Sequence, residues 1–360
     1  MKVFNVFSTL DFGGVESMAL ILAENNIPKI NVSFVAISRG GRVSESISQC
    51  GFDVHVLNVA SKIPSVRAIM ALYFLFKCER PDVVHCRGGE ANFHGIIASW
   101  LAGVPVRVAE EIGIPSHGFI AKVIFKLIYK ASNGVVAISD AVKRWIVASG
   151  ESPENKIRRI YNPVEVRCSH GEARESKQKN KFRIGFVGRL EPVKNPIALL
   201  KAAIQLLRKG IDIELWIIGD GSLNEDIRSE IKKYGFADHI RLFGYVDQPM
   251  NLVSQCDLYV QPSISEGFGL AVVEAMLCSV PVLASSVGGV PEIIDDNLTG
   301  WLLSDTGPEF IASRIEFLAA LPSSELQAVG QKGRASVENR FSPNTYINAL
   351  YDFYLSVNDF

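Results

Sequence analysis

Apolar residues run along this chain in two alternating rhythms. Short runs rich in Val, Ile and Phe are followed by longer stretches in which apolar positions recur every three or four residues. The first rhythm is that of strands buried on both faces, the second that of amphipathic helices. In the first half the strand runs fall at 2–7, 32–37, 53–57, 82–85, 106–109 and 134–138. Helical stretches near 15–26, 42–50, 65–79, 90–102, 118–131 and 140–149 separate them. Such alternation predicts an α/β fold with a parallel sheet covered on both faces.

The pattern stops between 165 and 181, where Cys168-Ser-His-Gly-Glu-Ala-Arg-Glu-Ser-Lys-Gln-Lys-Asn180 offers almost nothing to bury. It then restarts, with strand runs at 183–190, 213–218, 240–243, 258–261 and 280–284 and helices near 195–209, 222–235, 269–279, 307–320 and 323–340. The pattern therefore predicts two Rossmann-like domains facing each other across a cleft, residues 1–164 and 182–342, with 165–181 as the linker. In such sheets ligands gather at the carboxyl ends of the strands.

Length and composition narrow the picture further. The 360 residues suffice for two domains, and 48% hydrophobic with 21% charged residues excludes a disordered chain. A net charge of −1 argues against a nucleic-acid binder. Residues 1–175 carry 20 Lys and Arg against 16 Asp and Glu, and the remainder 17 against 22. A mildly basic front half suits an anionic membrane surface or an acidic substrate, and equally suits chance scatter over two solvated surfaces. Six scattered cysteines form no C-x-x-C pair and no zinc-spaced cluster, which points to a reduced, cytoplasmic chain. The first residues lead straight into a strand rather than a signal peptide. The longest apolar run, at 68–76, is far short of the roughly 20 residues that span a bilayer.

Two stretches carry most of the chemistry. In Ser263-Ile-Ser-Glu-Gly-Phe-Gly-Leu270 a strand gives way to a loop holding Glu266, two glycines and a helix start, an arrangement that brings backbone amides up to an anion. Glu274 follows eight residues after Glu266, more than a turn inside the helix, so both carboxylates reach one extended ligand but not the same atom of it. A sugar nucleotide fits that spacing. In Gly185-Phe-Val-Gly-Arg-Leu-Glu-Pro-Val-Lys194 a strand ends by presenting Arg189 and, five residues later, Lys194, two cations suited to a departing diphosphate. Each stretch alone also reads as ordinary solvated charge.

Together they resemble a known family. Glu266 and Glu274 reproduce the E-x(7)-E motif, and the Arg189/Lys194 segment its companion signature, of family 4 glycosyltransferases of the GT-B fold. Gly13-Gly14, Asp82-Val-Val-His85, Ile218-Gly-Asp-Gly-Ser222, Phe243-Gly-Tyr-Val and Ser286-Val-Gly-Gly-Val-Pro-Glu also match, in family order. The resemblance implies a retaining transferase that moves a hexose or N-acetylhexosamine from a nucleotide-diphosphate sugar, expected to be a UDP-sugar. The expected acceptor is a glycan, lipid-linked, in surface polysaccharide assembly such as lipopolysaccharide or O-antigen. It also implies that the last helix, about 343–360, crosses back onto the N-terminal, acceptor-binding domain.

By the same resemblance, Arg189 and Lys194 hold the donor diphosphate, Glu266 the donor sugar and Glu274 the ribose. The amides of Phe268, Gly269 and Leu270 cap the phosphates, Gly14 lets the N-terminal backbone close over the β-phosphate, and backbone near Tyr245 and Val246 meets the base. The chain has no Asp-x-Asp triplet, so no metal is expected. Where many relatives carry a histidine after the fifth strand, this chain has Glu110-Glu111, and Glu111 is the expected cleft residue. His85, and beyond it Arg87, Glu90, Asn92 and His117, are candidates for acceptor contact. Lysines 122, 126 and 130 on an apolar helix suggest either peripheral docking on an anionic membrane, at the inner face of the plasma membrane, or a core helix with a lysine edge. Two rival readings are a nucleotide-sugar-binding protein without transfer activity and a sugar-nucleotide epimerase.

Overall fold

A computed structural model describes residues 1–11, 13–25, 30–166 and 181–358. Nearly continuous apolar runs, with Val3 to Phe7 and Ile213 to Ile218 buried throughout, form strands covered on both faces. In the first half these are β1 (Lys2–Leu10), β2 (Asn31–Gly40), β3 (Asp53–Val56), β4 (Val83–Arg87), β5 (Val106–Glu111), β6 (Gly134–Ala137) and β7 (Ile157–Arg159). They form a parallel sheet in the order β3-β2-β1-β4-β5-β6-β7. In the second half β8 (Phe182–Val187), β9 (Ile213–Ile218), β10 (Ile240–Gly244), β11 (Leu258–Gln261), β12 (Val282–Ser285) and β13 (Trp301–Leu303) form another, in the order β10-β9-β8-β11-β12-β13.

Both sheets are thus doubly wound, and in each the order reverses beside the first strand, between β1 and β4 and between β8 and β11. The carboxyl edge at that switch point is where such a sheet takes its ligand. The chain divides into two compact units, residues 1–164 with 341–360 and residues 165–340. The last helix, Pro343–Ser356, starts at Ser342, whose hydroxyl accepts the amide of Thr345. Its Tyr346, Ile347, Leu350, Phe353 and Tyr354 join the first unit's core with Val3, Phe7, Phe34 and Val108. No helix among the described residues is long and apolar enough to cross a membrane.

Three elements go beyond the sequence pattern. β7 and β13 are three-residue edge strands, and Met250–Val253 is a single helical turn, all too short to show a period. Most of the expected linker, 167–180, lies outside the described residues. Cys50, Cys78, Cys86 and Cys256 are free.

Candidate active site

The second unit assembles its polar groups at the β8/β11 switch point. β8 ends at Val187 and the chain turns through Gly188 to Arg189. A Cβ on Gly219, whose φ is +135°, would fall 2.0 Å from the carbonyl oxygen of Gly188. Only glycine lets the loop after β9 close against this turn. A single turn of 3₁₀ helix, Pro192–Lys194, then aims the Lys194 side chain across to the loop after β11. There Lys194 Nζ donates to Glu266 Oε1 at 2.6 Å. The same oxygen accepts the Ser263 hydroxyl at 2.7 Å, and Ser263 accepts Gln261 Nε2 at 2.7 Å. The Tyr259 hydroxyl donates to Gln261 Oε1. Tyr259 and Gln261 alternate along β11 to one face, so the strand feeds a chain of hydrogen bonds that ends on the Glu266 carboxylate.

Behind Glu266 stands the loop after β12. Gly288 has φ +54°, and a Cβ there would fall 1.6 Å from the carbonyl oxygen of Glu266. Gly289 N donates to that oxygen at 3.3 Å. This close packing fixes the Glu266 loop from the rear.

Glu274 lies on the helix Leu270–Leu277, which begins after Gly269, φ +114°. Burial pushes its carboxyl up to about 7, and its side chain makes no hydrogen bond with the described residues. Burial, then the charges of Glu274 and Glu266, hold the Tyr259 phenol well above its usual value, so both carboxylates bear on one point of β11. Phe268 is buried, which leaves its backbone as what it can offer, and Leu270 opens the helix, at the end that carries its partial positive charge. The Arg189 guanidinium is exposed and makes no ion pair with the described residues. Tyr245 and Val246 follow β10 at the same sheet edge, with the exposed Tyr245 hydroxyl donating to Asp247 Oδ1 at 3.1 Å. Among the described residues no cluster of three or more His, Cys, Asp or Glu is placed to hold a metal ion.

The first unit uses its polar residues differently. Gly14, exposed, opens the helix Gly14–Glu24 at the end of β1. His85 is wholly buried on β4, with Nδ1 2.7 Å from the Tyr354 hydroxyl and Nε2 3.1 Å from Glu110 Oε2. Burial and the adjacent Arg87 charge push its imidazole down to about 4. Arg87, equally buried, donates to Glu110 Oε2 at 2.6 Å, to the Tyr346 hydroxyl at 2.7 Å and to Asn5 Oδ1 at 3.0 Å. Burial, the largest single influence, would raise the Glu110 carboxyl, but Arg87 and His85 together outweigh it and the group is lowered. His85 and Arg87 therefore belong to the fold, not to an acceptor surface. The buried amide of Asn92 likewise donates to the Glu110 carbonyl, and Glu90 accepts the Ser61 hydroxyl.

Glu111 ends β5, nearly buried, and accepts the Tyr129 hydroxyl at 2.8 Å and its neighbour's amide, Ile112 N, at 3.1 Å. Burial pushes this carboxyl up to about 7 against the Tyr129 hydrogen bond. His117 stacks on Phe125, ring centroids 4.6 Å apart, and its Nδ1 lies 2.9 Å from Glu151 Oε1. Sequence reasoning missed Tyr259, Gln261, Ser263 and Gly288. A buried glutamine at the end of an apolar strand was the available signal for the first three.

Residues 12–167 match the family model described as Glycosyltransferase Family 4, and residues 171–336 that described as Glycosyl transferases group 1. The capsular polysaccharide biosynthesis glycosyltransferase CapM of Staphylococcus aureus is 25% identical over 308 residues, 80% of each chain. A UDP-Gal:alpha-D-GlcNAc-diphosphoundecaprenol alpha-1,3-galactosyltransferase of Escherichia coli is 25% identical over 82% of this chain and 81% of its own. The crystal structure of Anabaena HepE, in complex with UDP and glucose, superposes with a TM-score of 0.84 over 99% of this chain and all of that one, at 20% identity. That last likeness speaks for the GT-B fold of two Rossmann-like domains. Both halves match glycosyltransferase models and the sheets wind as that fold requires: the chain belongs to the family 4 glycosyltransferases.

Proposed function

We propose that this chain is a retaining transferase that moves a hexose or N-acetylhexosamine from a UDP-sugar to a lipid-linked glycan in surface polysaccharide assembly, working at the cytoplasmic face of a membrane. The observation that carries the reading is the pairing, at one switch point, of a cation-bridged carboxylate, Glu266 with Lys194, and a partly buried, unbridged one, Glu274. A partly buried carboxyl without a hydrogen-bond partner is costly to ionise unless a ligand supplies its hydrogen bonds, and ribose hydroxyls are such donors. Relatives whose names record UDP-Gal, a diphosphoundecaprenol acceptor and capsular polysaccharide support the choice of donor and acceptor.

In this reading Arg189 and Lys194 neutralise the charge that develops on the departing diphosphate, and the amides of Phe268, Gly269 and Leu270 hold its oxygens. Phosphate contact draws Lys194 from Glu266, whose carboxylate then accepts hydroxyls of the donor sugar. Glu274 takes the ribose and backbone at Tyr245 and Val246 the base. The acceptor hydroxyl attacks the anomeric carbon from the face the diphosphate leaves. Its proton passes to the leaving phosphate, so the step needs no protein nucleophile. Glu111 accepts a sugar or acceptor hydroxyl, since each of its oxygens keeps a lone pair.

Thermal shift against UDP, GDP, ADP and NAD tests the donor. A ligand at 100 times its Kd stabilises by about 2.7 kcal/mol. A shift with UDP alone is expected; a shift with NAD alone, or with none of the four, overturns the assignment. Release of UDP from a UDP-hexose then separates a transferase from a pure binder, and the anomeric configuration of the product reports retention.

A further inference from the structure

The first unit presents an apolar face that its fold does not explain. Helices Val66–Glu79, Gly89–Ala102 and Phe119–Ala131 pack side by side, and each leaves large hydrophobic side chains in water. Val66, Met70 and Phe74, four residues apart, form one stripe on the first of them. Trp100 is 59% exposed on the second, and Phe119 and Ile120 are 83% and 75% exposed on the third. Between the second and third helices lies a groove of about 310 Å³, lined by Phe93, Ile97 and Trp100 on one side and Ile124, Leu127 and Ile128 on the other. A patch of this extent on a soluble domain marks an interaction surface.

Charge identifies the occupant. Lys122, Lys126 and Lys130 stand exposed on the third helix, which carries no acidic residue, and Arg67 and Lys77 stand exposed on the first. None of the five makes an ion pair with the described residues. The acids on these helices are engaged elsewhere, Glu79 with Lys2 and Glu90 with the Ser61 hydroxyl. An apolar face fringed by free cations complements the headgroup and acyl boundary of an anionic bilayer: side chains sink into the boundary while lysine stems extend to the headgroups. A protein partner would bring polar backbone into a groove that offers it no hydrogen bonds. A second copy of the chain would set lysines against lysines.

The geometry points to this three-helix face as the membrane-docking surface of the enzyme, with hydrocarbon chains of anionic lipids seated in the groove. The inference rests on the proposed lipid-linked acceptor, because a surface that holds the first unit on the bilayer brings it to such a substrate.

The full chain is sedimented with vesicles of phosphatidylcholine alone and of equal parts phosphatidylcholine and phosphatidylglycerol. Binding to the anionic vesicles is expected, with a partition coefficient at least tenfold above that for the neutral ones. Trp100→Ser, Ile120→Ser and Leu127→Ser combined should lower it at least tenfold, and so should Lys122→Gln, Lys126→Gln and Lys130→Gln combined. Vesicles should shift tryptophan emission to the blue, and Trp100→Phe should remove most of that shift while leaving binding intact. The thermal shift with UDP, read in the same samples, should be equal in all variants, which shows that the fold and the donor site survive. Absence of binding by the unmodified chain, or unchanged binding by both triple variants, overturns the inference. So does a dimer in solution that the apolar triple variant dissociates, which assigns the face to a second copy. A chain that binds UDP but not vesicles loses this docking surface alone; one that binds vesicles but no nucleotide loses the transferase reading alone.

Discussion

The two sheets share one winding, yet they put charge to opposite uses at equivalent strands. β4 and β11 each sit beside the first strand of their sheet, and each sends alternate polar residues to one side, His85 and Arg87 in the first unit, Tyr259 and Gln261 in the second. In the first unit the network turns inward: Arg87 meets Glu110, and Tyr346 and Tyr354 of the last helix join it, while Arg87 Nε and Glu110 Oε1 stay buried without a hydrogen bond. In the second it runs outward, through Ser263 to Glu266 and Lys194, and leaves Arg189 without an ion pair and Glu274 without a side-chain hydrogen bond among the described residues. The comparison teaches that topology fixes where polar groups collect, whereas burial beneath a distant segment separates a clasp from a binding site.

Three experiments probe that contrast, the largest effect first. Arg87→Met should destabilise by about 3–5 kcal/mol in urea unfolding, since it leaves Glu110 buried and uncompensated. Adding Glu110→Leu should recover much of the loss. An effect under about 1 kcal/mol for Arg87→Met would mean the first unit's network is not a clasp. Lys194→Ala and Arg189→Ala should each lower kcat by about 10²-fold or more, as loss of an oxyanion-hole donor does, while moving the urea midpoint far less. Near-normal turnover in either removes its role at the leaving group.

The smallest effect is on pH. Ribose hydroxyls donate to the ionised Glu274, so affinity for UDP should fall as pH drops below about 7, and Glu274→Gln should flatten the profile. Stability of the unliganded chain runs the other way. A carboxyl raised above its usual 4.5 contributes stability that is fully present below 4.5 and is lost as pH rises through about 7. Titration of UDP between pH 5.5 and 8.5 checks both variants, and a wild-type profile already flat contradicts the ribose assignment.

Most strands and helices are legible in the sequence because they are long enough to show a period. β7, β13 and the turn at Met250–Val253 are not. Glu266, Arg189 and Lys194 stand out in the sequence because each follows soon after a strand end, where local order along the chain already implies a shared edge, and Glu274 because it sits eight residues beyond Glu266 in the next helix. His85 and Arg87 carried the same local signal, a strand end with charge, and it misled. What buries them is Tyr346 and Tyr354, more than 250 positions away.

The sequence by itself determined the elements, the doubly wound pattern and the residue types gathered at each carboxyl edge, because hydrophobic periodicity and strand-end position are local properties. Only the tertiary structure decided which of those charges are satisfied. Burial and partnership depend on contacts between distant segments: the last helix covering Arg87 and His85, the loop at Gly288 bracing Glu266, and no described side chain reaching Glu274.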